Sequence, residues 1–503
     1  MPEHLRALIV ILALACIVFA FARRPAADLI SYSEFVRRRN LWLALLVLAY
    51  LSHSFWLYAA LTAIVLTIAR RRERNPLALF FILLFLIPPA SVQIPGLGLI
   101  NYLFTLDHVR LLALLVLLPA FFMLRKQADT LPFGRTWPDK LLTLHIVLSA
   151  LLHLRETTLT DTLRQMFYLF TDVFLPYYVA SRALKQLSEF KDAMLAFALA
   201  AMVLALIGVF EYSRHWLLYS SLVDAMGLNW GMSNYLGRGG SLRASASTGQ
   251  AIVLGYVISV AIGFYLFLHA GVRSRLQQRL GALLLAAGLF ATLSRGPWVG
   301  AALIITVFIA TGRNAIKRLM LLGLAGVLAI PLLSIIPGGN KLIDLLPYIG
   351  TIEKGNITYR EELFSNSIIV IKRNPLFGSI DFLNTPEMQT MIQGEGIIDI
   401  VNTYLIVALK SGLVGLTFFA GFFISIALGI YKSFRTFQNK DDETLRLGRA
   451  LLATLAGVLV TITTVSNISV IPIVHWSLAG LGVAYIQMVR GLKPPSVTGA
   501  ITT

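Results

Sequence analysis

The sequence predicts an all-α, polytopic integral membrane protein. Of its 503 residues, 57% are hydrophobic and 14% charged, whereas a soluble domain carries about a quarter charged residues. Apolar runs of roughly 17 to 25 residues recur from end to end, the length that crosses a hydrocarbon core of about 30 Å. The runs are continuous, not alternating, which excludes a β-barrel. Roughly 12 to 15 membrane helices are expected from them.

The first run, 5–22, reads as a retained helix and not a cleaved leader, because its positive residues, Arg23 and Arg24, follow the apolar stretch more heavily than they precede it. The run 41–69 is too long for one straight crossing and contains "LSHS" at 51–54, where a hairpin of two short helices would turn. Spans follow at 77–90, 108–124, 138–154, 162–181 and 191–212. After a polar stretch come 248–270, 280–294, 297–312 and 319–336, and finally 397–431, 448–465 and 469–489. The run 397–431 is again too long, and "LKSGLVG" at 409–415 is the expected break. The chain therefore divides into N-terminal helices 1–212, a loop segment 213–247, central helices 248–336, a second loop segment 337–396, C-terminal helices 397–489 and a tail 490–503. No internal repeat is visible, which weakens an inverted-repeat transporter.

The net charge is +18, from 43 basic and 25 acidic residues. In a soluble protein this would suggest nucleic acid. Here orientation explains it and no nucleic-acid partner is expected, because Lys and Arg gather in cytoplasmic loops. "RRRER" at 70–74, "GVRSRLQQR" at 271–279, "RNAIKR" at 313–318 and "KSFRTFQNKDDETLRLGR" at 432–449 share one side when the crossings alternate. The arginines at 23–24 and 37–39 fit this less well if 41–69 is one crossing and better if it is a hairpin. Segments 213–247 and 337–396 then lie on the opposite side, and loops of that length are uncommon without a function. The turn carrying Arg295 lies there too, against the orientation rule. The single cysteine, Cys16, excludes an intramolecular disulfide.

Four stretches hold candidate chemistry. In "GRGGSLRASASTGQAIVLGY", 237–256, Arg238 and Arg243 precede a crossing, and Ser245, Ser247, Thr248 and Gln250 offer hydroxyls and an amide at an expected helix start, where anions are favoured. The plainer alternative is a glycine turn with two solvated arginines. In "ATLSRGPWVGA", 291–301, Arg295 either snorkels to the interface or sits in a tight turn pressed against neighbours, as Gly296, Pro297 and Gly300 suggest. In "TYREELFSNSIIVIKRNPLFGSIDF", 358–382, Arg360, Lys372 and Arg373 add positive charge to what is otherwise a surface amphipathic helix. In "GEGIIDIVNTYLIVALKSGLVGL", 394–416, Glu395, Asp399 and Asn402 approach a crossing, with Asp399 and Asn402 on one helix face. A carboxylate there is able to take a proton from a sugar hydroxyl, or else caps the helix or pairs with an arginine. Arg164 and Asp172, two turns apart, are candidates to share a cavity. Metal, P-loop and dinucleotide motifs are missing from the sequence, so neither a metal nor a cofactor is expected.

"LSRGPWVG" resembles the SRG-x-W-x-G signature of the O-antigen ligase and O-antigen polymerase superfamily. "LRASASTGQAIVLGY" resembles the family's preceding arginine segment, "IKRNPLFG" its NP-x-x-G segment, and "VNTYLIVALKSGLVGL" its HN-x-Y-L…G-L-x-G-L segment, in the right order across about 240–420. The resemblance implies a GT-C-like helical glycosyltransferase of the bacterial inner membrane, working at the periplasmic face without nucleotide sugar or metal. Its donor would be a glycan on undecaprenyl diphosphate. The acceptor would be a second lipid-linked repeat unit for a polymerase, or the lipid A core for a ligase. A lipid or glycan transporter is the alternative from another class. By resemblance, Arg243 and Arg295 hold the donor diphosphate, and Arg238 and Arg360 add to them. Asp399, Glu395 and Asn402 handle the acceptor hydroxyl, and Tyr404 and Gln250 contact the glycan. The family often has His before the Asn of its HN pair; here that position is Val401, which cannot move a proton. The base is then Asp399, Glu395 or a group elsewhere. Besides the lipid membrane, enzymes of this kind need a flippase and often a chain-length regulator.

Overall fold

The computed structural model describes the chain up to residue 492, except residues 97, 99, 229–236, 239, 336–353, 394–395 and 440, and it gives only the backbone of 238, 330, 333 and 354–357. The described part is a bundle of helices, seven of which are long and apolar enough to cross a membrane: Glu3–Ala27, His108–Lys126, Leu187–Arg214, Ala251–Gly271, Thr403–Thr436, Glu443–Thr461 and Ile471–Gly491. Shorter apolar helices, Arg295–Ala310 among them, complete the bundle. This is a multi-pass membrane protein. Leu187–Arg214 and Ala251–Leu268 form its centre and are buried along most of their length, whereas Ala315–Ile335 packs against Arg295–Ala310 and is exposed along its length.

Both over-long apolar runs are interrupted. The first divides into Tyr32–Leu51 and Phe55–Ala69, with Ser52 and Ser54 extended between them. This hairpin brings Arg37, Arg38 and the 70–74 arginines to one end of the bundle, where Glu73 accepts from Arg37 at 2.9 Å and from Arg38 at 2.7 Å. Burial opposes ionisation of Glu73, but the bonds from Arg38 outweigh it and hold the carboxyl below its usual range. Arg38 also donates to Asp192 at 2.9 Å. Further ion pairs join the same end: Asp28 with Arg273, Lys191 with Glu443, and Arg313 with Asp441. The basic loops therefore share one face, which we call the basic face. The second run, Thr403–Ser433, is broken at Gly412, whose φ of 63° and ψ of −167° are not helical.

Three features were not legible beforehand. A two-stranded antiparallel hairpin, Val92–Pro95 with Tyr102–Leu106, stands on the face opposite the basic one. It is pinned by Tyr168, whose hydroxyl oxygen accepts from the Thr105 backbone N–H at 2.9 Å. Two membrane helices also contain a π-helical turn, at Ala113–Leu117 and Phe170–Phe174. Finally, Asp172, in the second of these turns, pairs with Arg110 at 2.9 Å. Arg164 does not join it: its guanidinium pairs with Asp161 and donates to the Tyr102 carbonyl at 2.8 Å, so the expected Arg164–Asp172 cavity is replaced by two separate clusters.

Candidate functional site

The site is built around the turn between helices Arg275–Ala291 and Arg295–Ala310, on the face opposite the basic loops. The segment after the small hairpin of Gly237–Arg238 and Ser241–Leu242 runs against this turn, and the Ala244 N–H donates to the Ala291 carbonyl at 3.1 Å. Arg243 then donates from Nη2 to Ser294 Oγ at 2.9 Å and from Nε to the Thr292 carbonyl at 3.4 Å. Arg295 is the next residue after Ser294 and the first of its helix. Two half-buried guanidinium groups that lie 52 positions apart in sequence thus share one turn. Arg295 is also no loose end at the lipid surface, because its helix packs tightly on Glu443–Thr461. A Cβ added to Gly300 would lie 2.0 Å from Thr461 Oγ1.

The arginine segment is held from below by Glu211, which sequence reasoning missed. Glu211 lies fully buried near the end of Leu187–Arg214. Its Oε1 accepts from the Leu218 N–H at 3.0 Å, and its Oε2 from the N–H groups of Ser245 at 3.0 Å and Ala246 at 2.8 Å. The signal was an isolated acid ending an apolar run, in "GVFEYSR". Ala246 (φ 45°) and Leu293 (φ 46°) are left-handed although neither is glycine. Each such residue costs about 1–3 kcal/mol and persists where its surroundings dictate it; here one follows Arg243 and the other precedes Arg295. Glu211→Ala would strand three buried N–H groups, at about 1–3 kcal/mol apiece. Thermal unfolding of the purified protein should show a large loss of stability, with Glu211→Gln intermediate; an unchanged melting temperature for the alanine variant would contradict the anchoring role.

A second group meets the turn from the other side. The loop 462–470, between the last two helices, lies on Gly296: a Cβ there would be 2.3 Å from Thr464 Oγ1. The Thr464 carbonyl accepts from Arg360 Nη2 at 3.4 Å. Two residues further on, Ser466 Oγ donates to Asp399 Oδ1 at 2.5 Å. Thr403 ties the start of its helix to the same loop, donating from N to the Ile462 carbonyl at 2.9 Å and from Oγ1 to the Val465 carbonyl at 3.1 Å. Tyr359, on the outer helix Lys354–Arg373, donates to the Asp399 carbonyl at 3.0 Å; its burial and the Asp399 carboxylate push the phenol above its usual range. The hydroxyl-rich "TTVSNIS" at 463–469 was the available signal for this loop.

Other expectations need correction. Asp399 and Asn402 do not share a helix face, because the helix begins only at Thr403. Asn402 is its extended N-cap, with Oδ1 accepting from Tyr404 N at 2.9 Å and Leu405 N at 3.2 Å. Capping therefore belongs to Asn402 and not to Asp399. Tyr404 turns inward and donates to the Leu459 carbonyl at 3.0 Å, which takes its hydroxyl away from a glycan. The hydroxyls of Ser247 and Thr248 are likewise committed, to the Phe85 carbonyl at 2.6 Å and the Ser245 carbonyl at 2.7 Å, and are not offered to an anion. Gln250 is exposed at the start of its helix. Glu395 and the side chain of Arg238 lie outside the described residues. Among the described residues, no group of three or more His, Cys, Asp or Glu converges as a metal centre would require.

The outer segment is locked to the broken helix. Leu413 N donates to the Pro375 carbonyl at 2.8 Å, Val414 N to the Leu376 carbonyl at 3.2 Å, and Ser379 N to the Leu409 carbonyl at 2.9 Å. The "NPLFG" turn thus takes up the backbone groups that the break at Gly412 sets free. Among the described residues, Arg243, Arg295, Arg360 and Asp399 are brought together by segments near 243, 295, 360, 399 and 464. Such an arrangement suits a polyanion with several oxygen acceptors.

Residues 280–420 match the family model described as O-antigen ligase. The match takes in the Arg295 turn, the outer helix and the broken helix as far as residue 420; Arg243 and Ser466 lie to either side of it. No curated protein matches the chain.

Proposed function

We propose that this chain, a membrane enzyme of the O-antigen ligase and polymerase superfamily, polymerises oligosaccharide repeat units carried on undecaprenyl diphosphate. It would act at the periplasmic face of a bacterial inner membrane. The observation that carries the reading is the Arg243–Ser294 bond, which sets one guanidinium against the turn that bears another. As the donor sugar departs, the bond from its C1 to the diphosphate oxygen breaks and the electron pair stays on that oxygen. Guanidinium groups fixed beforehand stabilise the growing charge through forked hydrogen bonds. The acceptor hydroxyl attacks C1 in a single displacement that inverts the anomeric centre, and its proton passes to Asp399. Ser466 holds that carboxylate in place. Donor and acceptor both reach the site from the lipid phase, supplied by a flippase, and a chain-length regulator sets the product.

Purified protein incubated with lipid-linked repeat units should give a ladder of longer glycans on a gel. Asp399→Asn should cut the rate by about 10²–10⁴-fold, the range for loss of a general base. A variant with wild-type rates would remove Asp399 from the mechanism. The second reading is a ligase, favoured by the description of the matching family. Lipid A core supplied as acceptor separates the two: attachment to the core without a ladder would replace the polymerase.

A further inference from the structure

Away from the arginines, most polar clusters are closed on themselves. Arg182 and Asp139 are fully buried and paired at 2.7 Å, and Arg38 is held by two carboxylates. One cleft is different. It lies between the end of the outer helix Lys354–Arg373 and the following turns, with a volume of about 310 Å³. That is the lower end of the range for small-molecule sites.

Its lining combines exposed polar groups with apolar patches. Asn374, Asp381 and Asn384 supply amides and a carboxylate, and Val370 and Pro386 supply apolar surface. Asn384 donates to Asp381 Oδ1, which leaves the other carboxylate oxygen and the Asn384 carbonyl for a ligand. Among the described residues, the side-chain amide of Asn374 makes no hydrogen bond, its backbone N–H donating to the Ile371 carbonyl. Arg373, also in the lining, is paired with Glu387, so the cleft offers no uncommitted guanidinium for a phosphate. Donors and acceptors beside apolar patches match a sugar, whose edges carry hydroxyls and whose ring faces carry C–H groups.

The position of the cleft fits the same ligand. Its floor is Leu409, whose carbonyl holds Ser379 N at 2.9 Å. Leu409 is seven residues beyond Asn402 on one helix, about 10 Å along the axis at 1.5 Å per residue. Glu156 fixes the wall from another helix, accepting from Ser379 Oγ at 2.9 Å and Ile380 N at 2.5 Å. A polar cleft is thus built against the helix that starts just after Asp399, a short run of sugars from that carboxylate.

We propose that this cleft is an acceptor-glycan subsite. It holds neutral or amino sugars between the reacting hydroxyl and the acceptor's lipid. This rests on the transferase reading, and the experiment separates the two. The probe is the oligosaccharide released by mild acid from the producing cell's lipid-linked glycans, titrated into purified wild type, Asp381→Asn/Asn384→Ala, Asn374→Ala and Arg295→Ala. Binding should weaken by about tenfold or more in the cleft variants, the worth of one or two lost hydrogen bonds. Arg295→Ala should bind like wild type, and the KM for lipid-linked acceptor should rise in the cleft variants. Asn374→Ala removes an amide that the protein itself does not use, so it still tests the cleft should the double variant not fold. Wild-type affinity in the folded cleft variants, or no binding by wild type, would overturn the subsite. Oligosaccharide binding in the cleft without glycan transfer would instead overturn the transferase reading and leave the subsite standing.

Discussion

Arg295→Ala should lower glycan transfer by about 10²–10³-fold, the usual cost of removing one preorganised donor from a developing oxyanion. Arg243→Ala should fall in the same range. The expectation follows from the shared turn: Arg243 bonds Ser294, and Arg295 begins the helix immediately after it. Two donors acting on one leaving group are not independent, so the double variant should lose less than the product of the two single losses. Lysine at either position keeps the charge and loses the fork, and should recover only part of the rate. Both alanine proteins should remain inserted and folded, because the turn is also held by the packing of Gly296 on Thr464 and of Gly300 on Thr461, which neither change touches. The check is the initial rate of chain elongation by purified variants, with thermal unfolding alongside. Normal polymer from a protein lacking both arginines would end the diphosphate-binding proposal.

Gly412→Val should prevent stable folding. The φ of 63° and ψ of −167° at Gly412 belong to a region that is essentially glycine-only and costs about 1–3 kcal/mol for other residues. Space is refused as well: a Cβ would stand 2.2 Å from the Leu376 carbonyl oxygen and 2.4 Å from the Phe377 nitrogen. Both are backbone atoms, and the Leu376 carbonyl already accepts from Val414 N, so neither yields as a flexible side chain would. Gly378 is the mirror case, with φ of 61° and a Cβ position 2.3 Å from the Leu409 carbonyl oxygen. Because the two glycines face each other across one junction, valine at both should cost less than the sum of the single changes. Yield of monodisperse protein and its melting temperature report the effect. A Gly412→Val protein as stable as wild type would mean that the junction does not form as described.

How much of this was readable beforehand follows from which forces were local. Membrane helices announce themselves by composition, and the break near Gly412 was visible because a run of 397–431 outlasts the bilayer and "KSG" interrupts it. The hairpin at 51–54 followed from the same length argument, and with it the gathering of basic loops. Arg295 stood out because arginine opposite the basic face is costly, and Arg243 because it precedes a crossing in a stretch rich in glycines and hydroxyls. What was hidden depended on long-range partners. Nothing around Glu211 indicates that it will cap loops near 218 and 245, and nothing around Ser466 indicates Asp399, 67 positions earlier. Asn402 was misjudged because a helix start is uncertain by a few residues, and that shift turns a helix face into a cap. The Val92–Leu106 hairpin escaped notice because its strands of four and five residues are too short to show alternation against an apolar background.

The break at Gly412 also decides what can move together. Leu409 on one side of the glycine and Leu413 and Val414 on the other are all stitched to the outer segment, and Thr403 is tied to the loop at 462–470. Both halves of the broken helix, the polar cleft and the strip leading to Asp399 are therefore braced against one another across the glycine. A change that loosens this junction would disturb the cleft and the setting of the Asp399 carboxylate together.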